Sequence, residues 1–293
     1  MASIPTGRRA VDPHLPAKAI DSGLYIVATP IGNLGDLSAR AIDLLHAADL
    51  VAVEDSRVTG KLLHHLGLKK RMRPYHDHSG EADREALLAA AREGVVVLVS
   101  DAGTPLISDP GYKLVRAARE AGVAVFTAPG PSAAIAALSI SGLPTDRFLF
   151  AGFLPSKAKA RADTLAELAN VKATLVFYES GPRLGASLAA MAEVLGDREA
   201  AVARELTKKF EEVVTGSLGE LASRYADDEP KGEIVVLVGS PADATAETGD
   251  VDAALREALA SLPVSKAAGQ IAKRFAMERS DVYARAMAIK SGK

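Results

Sequence analysis

The sequence contains no cysteine among its 293 residues. This absence excludes disulfide bonds, iron–sulfur clusters, thiol nucleophiles and zinc sites built on cysteine. It also agrees with a reducing compartment, and we expect a cytoplasmic protein. No apolar run approaches the length of a membrane span, and residues 1–22 lack the apolar core of a secretory signal. We therefore predict a flexible leader over 1–22 and no membrane contact.

Neither sign of charge is in large excess: 35 Lys and Arg residues oppose 37 Asp and Glu residues, for a net charge of −2. Such a balance predicts no general affinity for nucleic acid, so a nucleic-acid partner needs a local basic patch. Residues 266–293 supply one, with seven basic against two acidic residues. Three short helical patterns over 250–293 predict a helical module. Its basic excess, which includes Lys273 and Arg274, favours RNA binding over a merely solvated surface.

The common nucleotide-binding motifs are also missing. The loop Thr29-Pro-Ile-Gly-Asn-Leu-Gly-Asp36 lies between a strand pattern and a helix pattern, where a phosphate-binding loop is usual. It matches neither the dinucleotide-binding nor the P-loop pattern, no lysine follows its second glycine, and Asp36 would repel phosphate. The sequence therefore disfavours a nicotinamide or ATP site. Two interpretations of this loop remain: it binds a small molecule of another kind, or it is only a tight turn.

The order of the elements predicts the fold class. Strand and helix patterns alternate from residue 23 to residue 130, which is typical of a parallel sheet with right-handed crossovers. Between 131 and 240 the adjacent strand patterns Glu199–Glu205 and Glu211–Thr215 predict a pair within a mixed sheet. We predict an α/β protein with an N-terminal domain over 23–130 and a second domain over 131–240 that closes a cleft.

Two glycine-rich loops predict where a ligand binds. The apolar strand patterns that begin at Val95 and Val123 lead into Ser100-Asp-Ala-Gly-Thr-Pro105 and Ala128-Pro-Gly-Pro-Ser132. Ligands of parallel sheets bind beyond the carboxyl ends of the strands, so the two loops predict a small-molecule pocket. Asp101 and Thr104 are the candidate contacts, with a turn-forming role for Asp101 as the alternative.

Charged residues follow three other strand patterns. They lie in Glu54-Asp-Ser-Arg57, Phe177-Tyr-Glu-Ser-Gly-Pro-Arg183 and Arg204-Glu-Leu-Thr-Lys208. Carboxylates beside arginine are costly to bury and indicate either a polar site or an ion-pair network, and both readings stay open here. The pair His76 and His78 lacks a third ligand nearby in sequence, so we predict no metal site.

Taken together, the motifs resemble the tetrapyrrole methylase superfamily of S-adenosylmethionine-dependent methyltransferases. The closer likeness is to its ribosomal branch, the small-subunit rRNA (cytidine-2′-O-)-methyltransferases, and it covers most of residues 24–240. The first loop departs from the pattern common in the superfamily, Gly-x-Gly-Pro-Gly-Asp, in a way that branch shares. The matching segments include Leu24-Tyr-Ile-Val-Ala-Thr-Pro-Ile-Gly-Asn33, Val53-Glu-Asp-Ser-Arg57, Val99-Ser-Asp-Ala-Gly-Thr-Pro105, Phe177-Tyr-Glu-Ser180 and Arg204-Glu-Leu-Thr-Lys208.

The resemblance implies a homodimer whose subunits have the two-domain class III fold. The N-terminal sheet would be mostly parallel, the second sheet mixed, and S-adenosylmethionine would be held in the interdomain cleft. The small C-terminal helical module resembles the domain that the ribosomal branch appends. Carried onto this sequence, the implied cofactor contacts are Asp101, Ala102, Gly103, Thr104, Ser132, Ala133, Phe177, Tyr178, Gly232 and Ile234.

The implied reaction is 2′-O-methylation of a cytidine ribose in small-subunit (16S) ribosomal RNA, with the RNA or the 30S particle as partner. A ribose hydroxyl is a weak acid, so a base should help to remove its proton. The candidate bases are Glu54, Asp55 and Glu179, and the candidate phosphate contacts are Arg57, Arg183 and Lys208. Two alternatives stay open: a porphyrinoid C-methyltransferase, and a non-enzymatic ribosome-assembly factor that binds RNA.

Overall fold

The first half of the chain forms a five-stranded, fully parallel sheet. The computed structural model describes residues 20–76, 78–241, 248–275 and 277–291, without the side chains of residues 248–250, 273 and 274. The strand order is β3-β2-β4-β1-β5. Every residue of β2 and β4 is buried, which explains their uninterrupted apolar sequences. The strands are β1 (Gly23–Val27), β2 (Leu50–Val53), β3 (Met72–Pro74), β4 (Val95–Val99) and β5 (Val125–Ala128).

Helices cover both faces of this sheet. Leu44 of the first helix and Leu63 of the second pack into one apolar cluster, and Leu87 and Leu114 of the third and fourth pack into another. Because all five strands are parallel, the loops that follow them meet at one edge of the sheet. The helices are α1 (Ala39–Ala47), α2 (Ser56–His65), α3 (Glu81–Glu93) and α4 (Tyr112–Glu120), and a 3-10 turn spans Leu34–Asp36.

A second five-stranded sheet, of mixed direction, follows. Its order is β6-β7-β10-β8-β9, with β6 and β7 parallel and the other neighbours antiparallel. The predicted pair of adjacent strands is confirmed as β8 and β9. The elements are α5 (Ala133–Ile140), β6 (Phe148–Phe153), α6 (Ala158–Leu168), β7 (Thr174–Ser180), α7 (Gly181–Leu195), β8 (Glu199–Arg204), β9 (Glu212–Ser217), α8 (Leu218–Arg224) and β10 (Glu233–Val238).

The two faces of the second sheet have different neighbours. Leu165, Leu188 and Leu221, from α6, α7 and α8, form the apolar core on one face. On the other face the apolar cluster combines α5 with Ile31, which belongs to the first loop of the first sheet. The second face is therefore the one that meets the first half of the chain.

Three helices complete the described chain: α9 (Thr248–Leu259), α10 (Val264–Arg274) and α11 (Arg279–Ser291). Their apolar core contains residues of this segment alone, such as Leu255, Ile271 and Val282. The predicted α/β class, with a parallel first sheet, a mixed second sheet and a helical C-terminal module, is confirmed. Within the described residues, no helix has both the length and the apolar character to cross a bilayer.

Candidate functional site

A cavity of about 380 Å³ lies between the carboxyl edge of the first sheet and the facing surface of the second. Its volume falls in the range of small-molecule sites. Loops of the first sheet and strands β7 and β10 of the second both contribute to it. The lining includes nearly all of the predicted cofactor contacts: Asp101, Ala102, Gly103, Thr104, Ser132, Ala133, Tyr178, Gly232 and Ile234.

Backbone hydrogen bonds hold the loops of the first sheet together. The N–H of Thr29 donates to the carbonyl of Gly103 at 2.8 Å, and the reciprocal bond is 3.0 Å long. The Thr104 hydroxyl donates to the Pro131 carbonyl at 2.9 Å. Gly103 has a φ of +78°, a conformation that side chains with a Cβ rarely adopt. The loops after β1, β4 and β5 thus form one continuous rim.

Asp101 stands on this rim with one carboxylate oxygen engaged. Its Oδ1 accepts the backbone N–H of Asp55 at 3.0 Å. Its Oδ2 has no hydrogen-bond partner within the part of the chain that the structure describes. A carboxylate oxygen of this kind can accept from an amine or a ribose hydroxyl of a ligand. The Asx-turn alternative does not account for the contact with Asp55, which ties the loop after β4 to the end of β2.

The acidic pair after β2 divides into two environments. Glu54 belongs to the cavity lining. Asp55 lies outside it, caps α2 through the N–H of Arg57, and forms an ion pair with the Arg57 guanidinium at 2.6 Å. Hydrogen bonding to Arg57 lowers the pKa of Asp55 to about 2. A carboxylate with so low a pKa is a weak base, so the structure gives Asp55 a capping and pairing role.

Side chains alternate across β7, and the alternation separates its three candidate residues. Tyr178 faces the cavity. Phe177 is fully buried in the apolar core on the opposite face, so its predicted cofactor contact is corrected: its side chain does not line the cavity. The Glu179 side chain is only 1% exposed and turns toward α7.

Two hydrogen bonds and one ion pair hold the Glu179 carboxylate. Its Oε2 accepts from the Ser187 hydroxyl at 2.6 Å, its Oε1 accepts from the Ser180 N–H at 2.9 Å, and Arg183 lies 3.3 Å away. Arg183 also donates to the carbonyl of Leu154. A buried carboxylate needs such partners. These contacts fix the turn between β7 and α7, where Glu179 and Ser180 line the cavity, and they engage the Glu179 carboxylate within the protein.

Tyr178 joins the second sheet to the start of α5. Its hydroxyl accepts the N–H of Ala134 at 3.3 Å, and burial raises its pKa above the ordinary value for tyrosine. The rings of Phe150 and Phe153 meet the Tyr178 ring edge-on, with centroids 4.8 and 5.6 Å away. Phe153 lines the cavity and is 56% exposed. Tyr178 and Phe153 thus form an aromatic side of the cavity, and Phe153 was not predicted from the sequence.

Lys208 connects the two sheets. Its Nζ lies 2.9 Å from Glu205 and 3.0 Å from Glu233, and Glu233 lines the cavity. A Cβ added to Gly32 of the first loop would lie 2.8 Å from Lys208 Cε, so the lysine stem crosses directly over that glycine. Burial alone would lower the Lys208 pKa, but the bonds to Glu205 and Glu233 outweigh it and raise the pKa.

Residues with positive φ flank two cavity-lining residues that the sequence did not single out. Leu106 and Ser108 flank Ile107, and Glu205 and Thr207 flank Leu206. Ile107 and Leu206 both line the cavity. A left-handed backbone costs energy for residues other than glycine and concentrates at functional sites. The sequence carried no signal for these apolar contacts, because nothing local distinguishes Leu206 from a core leucine.

The predicted phosphate contacts are dispersed. The Arg57 side chain is 86% exposed at the start of α2, whereas Arg183 and Lys208 are engaged as described above. The side chains of Lys273 and Arg274 lie outside the described residues. His76 and His78 are exposed, and Asp77, which lies between them in sequence, is not among the residues that the structure describes. No group of three or more potential metal ligands occurs among the residues that are described.

Comparison with known proteins decides the family. The family model of tetrapyrrole (corrin/porphyrin) methylases matches residues 23–222, and that of the RsmI C-terminal HTH domain matches residues 245–290. The chain is a member of the tetrapyrrole methylases.

Two relatives are similar over nearly the whole of this chain. A relative from Mesorhizobium japonicum is 51% identical over 94% of this chain and 95% of its own length. Another from Erythrobacter litoralis is 56% identical over 94% and 98%. Both are named ribosomal RNA small subunit methyltransferase I. The crystal structure of uroporphyrin-III-C-methyltransferase from Thermus thermophilus is similar with a TM-score of 0.54, at 26% identity over 75% of this chain and 94% of that one.

Family membership identifies the cofactor as S-adenosylmethionine, and the cavity residues fit it. The lining combines carboxylates at Asp101 and Glu54 with apolar contacts at Ile31 and Leu206. Carboxylates suit the positive sulfonium and the amino group, and the apolar residues suit the adenosyl portion. The Oδ2 atom of Asp101 offers the acceptor that a bound amine or ribose requires.

Proposed function

We propose that this protein methylates the 2′-oxygen of a cytidine ribose in small-subunit (16S) ribosomal RNA, with S-adenosylmethionine as methyl donor. One observation carries the proposal: a cavity with an S-adenosylmethionine-compatible lining lies between the two sheets of a chain 51% and 56% identical to proteins named ribosomal RNA small subunit methyltransferase I. We assign the two sides of the cavity to two domains, residues 23–130 and 131–240.

In this proposal the rim of the first sheet holds the cofactor. Asp101 and the backbone of Ala102, Gly103 and Thr104 approach it from one side, and Ser132 and Ala133 from the next loop. Tyr178, Gly232 and Ile234 bound it from the second sheet. The preformed hydrogen bonds between the loops support this assignment, because a rigid rim loses little conformational freedom when a ligand binds.

The bound cofactor supplies an already activated methyl group on a sulfonium. What remains for the protein is to align the ribose oxygen with that methyl group and to accept the hydroxyl proton, and alignment by itself contributes several kcal/mol. Among the three candidate bases we favour Glu54. Glu54 and Glu179 both line the cavity and Asp55 does not, but the Glu179 carboxylate is engaged by Ser187 and the Ser180 N–H. Arg57, beside the start of α2, is the remaining exposed candidate for a phosphate contact.

Further features belong to the same proposal. The helical module, with exposed Lys266, Arg279 and Lys290 and its own apolar core, would bind ribosomal RNA, either free or in the 30S particle. We propose a homodimer and a cytoplasmic location, the compartment in which that substrate is found. A porphyrinoid substrate is not favoured, because the relatives that cover nearly the whole chain carry the ribosomal name.

The direct test is transfer of a tritiated methyl group to small ribosomal subunits that lack the modification, followed by mapping of the label. We expect label on one cytidine ribose and none on uroporphyrinogen. Label on a base, or on uroporphyrinogen alone, would contradict the proposal. Calorimetry with S-adenosylmethionine separates the remaining alternative, because a non-enzymatic assembly factor would not bind it.

Two variants locate the parts of the activity. Asp101→Asn should weaken S-adenosylmethionine binding by tenfold or more, since it removes a charged acceptor from the rim. Asp163→Asn, on the exposed surface of α6, is the matched control and should leave binding unchanged.

Deletion of residues 250–293 should leave cofactor binding nearly intact and abolish RNA methylation. Undiminished methylation by the truncated protein would contradict the proposal that the helical module binds RNA.

A further inference from the structure

One stretch of the first half combines many basic residues with no acidic residue. Over the whole chain Asp and Glu account for 37 of 293 residues, but residues 56–76 contain neither. The same stretch carries six lysine or arginine residues and three histidines. It comprises α2, the turn after it, and β3 at the edge of the sheet. The near-neutral charge of the chain therefore conceals a local basic surface far from the C-terminal module in sequence.

The structure shows which of these basic side chains already have partners. Arg57 pairs with Asp55, Arg73 pairs with Asp83, and Lys70 donates to two backbone carbonyls. Lys61, Lys69 and Arg71 are exposed and form no ion pair with any residue that the structure describes. We call the exposed residues of this surface the α2 basic face. They are Arg57, Lys61, His64, His65, Lys69 and Arg71.

The helical repeat places the first four of these residues on one side of α2. Positions 57, 61, 64 and 65 have the spacing of a single helix face, and all four are exposed. Thr59 and Leu63, on the other side, are buried. With a rise of 1.5 Å per residue, the ten residues of α2 extend about 15 Å.

The face starts at the cavity. Glu54 lines the cavity, Asp55 caps α2, and Arg57 is in the first turn of the helix. From there α2 runs back toward the amino ends of the strands, where Lys69 and Arg71 precede β3. Next to the cavity Arg57 is paired with Asp55, and unpaired basic side chains then follow at Lys61 and, near the opposite edge of the first sheet, at Lys69 and Arg71.

We infer that the α2 basic face binds the phosphodiester backbone of RNA and guides the strand to the cavity. Lys61, Lys69 and Arg71 form no ion pair with any described residue, so their positive charges are available to an anion from outside the chain. A polyanion can neutralise all three, and contacts to phosphates fix the register of a strand without reading its sequence. The inference rests on the proposed function, since it assumes that the cavity acts on RNA.

The test compares two charge-reversed variants with the same change in net charge. Lys61→Glu/Arg71→Glu alters the α2 basic face. Arg92→Glu/Arg119→Glu alters exposed arginines of α3 and α4, which cover the other face of the sheet. The probe is an unmethylated transcript of small-subunit ribosomal RNA, and its dissociation constant is measured between 50 and 200 mM salt, roughly the range over which phosphate contacts change affinity most clearly.

We expect the first variant to bind the transcript at least tenfold more weakly than the unaltered protein. The slope of log affinity against log salt should become shallower by about 1.4, because each lost contact to a single strand removes about 0.7. The control variant should stay within about twofold of the unaltered protein, given that it removes no phosphate contact. Both variants should bind S-adenosylmethionine with unchanged affinity, because none of the four residues lines the cavity.

Three results would overturn the inference. The first is an unchanged affinity and slope in Lys61→Glu/Arg71→Glu, and the second is an equal loss in the control. The third is a loss of binding to phosphatidylglycerol vesicles with no loss of binding to RNA, which would assign the face to a membrane surface. If charge reversal lowers the thermal stability of the protein, the same binding measurement is made with Lys61→Gln/Arg71→Gln. Failure of the unaltered protein to methylate RNA would instead contradict the proposed function.

Discussion

The two sides of the cavity are held in place by different forces. On the side of the first sheet, backbone hydrogen bonds between Thr29 and Gly103, and the bond from Thr104 to a backbone carbonyl, join the loops. On the side of the second sheet, charged side chains do this work, with Glu179 at the end of β7 and Lys208 between the sheets. The geometry of the first side therefore depends on the allowed conformations of the backbone, and that of the second side depends on which charged side chains face each other.

This difference teaches which substitutions each side can accept. A backbone-bonded rim accepts changes of exposed side chains but not an added Cβ at a position with positive φ. A side held by buried or half-buried charges accepts small backbone adjustments but not the loss of one partner, because the other partner is then left uncompensated. Substitutions on each side, with matched controls, can confirm or break this division.

The largest effect should come from Glu179→Ala. It removes the acceptor of Ser187 and of the Ser180 N–H, and it leaves Arg183 without its carboxylate. We expect a loss of about 3 kcal/mol in the free energy of unfolding, measured by urea denaturation. Glu193→Ala, at an exposed position of the same helix, should change stability by less than about 0.5 kcal/mol. Equal losses in the two variants would show that the Glu179 contacts contribute nothing specific.

A smaller effect on stability, but a specific one on binding, is expected from Gly103→Ala. Gly103 and Gly122 have φ values of +78° and +69°, and only Gly103 lies on the cavity rim. An alanine at either position should cost about 1 kcal/mol of stability, through the same backbone strain. Calorimetry should then show weaker S-adenosylmethionine binding for Gly103→Ala only. Parallel loss of binding in Gly122→Ala would contradict the assignment of the rim.

Lys208→Met should have a smaller effect on stability. The substitution keeps much of the stem over Gly32 and removes the charge between Glu205 and Glu233. Because these groups are partly exposed, we expect at most about 1 kcal/mol, with severalfold weaker cofactor binding. Lys209→Met, at the exposed neighbouring position, is the control.

The pH dependence of the Lys208 contribution has a definite sign. The folded pKa of Lys208 is raised, so its stabilisation is complete below the ordinary lysine pKa and is lost as the pH rises through the folded value. The difference in stability between the unaltered protein and Lys208→Met should therefore shrink in alkaline solution. A difference that grows there would contradict the ion-pair interpretation.

The smallest effect is expected from Asp55→Asn. Asparagine can still cap α2, so only the ion pair with Arg57 is lost. The pKa of Asp55 is lowered to about 2, so its stabilisation is present above the ordinary aspartate pKa and is lost as the pH falls from about 4 to 2. The unaltered protein and the variant should therefore converge in stability in acid. A gap that stays undiminished between pH 4 and pH 2 would point to a cause other than ionisation.

Much of the site followed from local pattern. The apolar strands β2 and β4 are buried on both sides, and a parallel sheet places the ends of its strands at one edge, so Asp101 and Ser132 were predicted to share a cavity. The sequence also showed that the carboxylates Glu54 and Asp55 are adjacent, but it did not show that they have different roles. That division depends on Arg57, which turns back onto Asp55 in three dimensions.

The sequence by itself determined the α/β class, the two kinds of sheet and the loops that meet at the rim, because burial and strand direction impose those patterns on neighbouring residues. The tertiary structure alone decided the partners of charged groups. Phe177 and Glu179 lie on the far side of β7, Lys208 reaches from one sheet to the other, and Lys61 remains unpaired within the described chain. Some of these pairs are close in sequence, such as Asp55 with Arg57, and others are distant, such as Lys208 with Glu233, but in both cases side-chain conformation decides which groups meet, and no local periodicity records it.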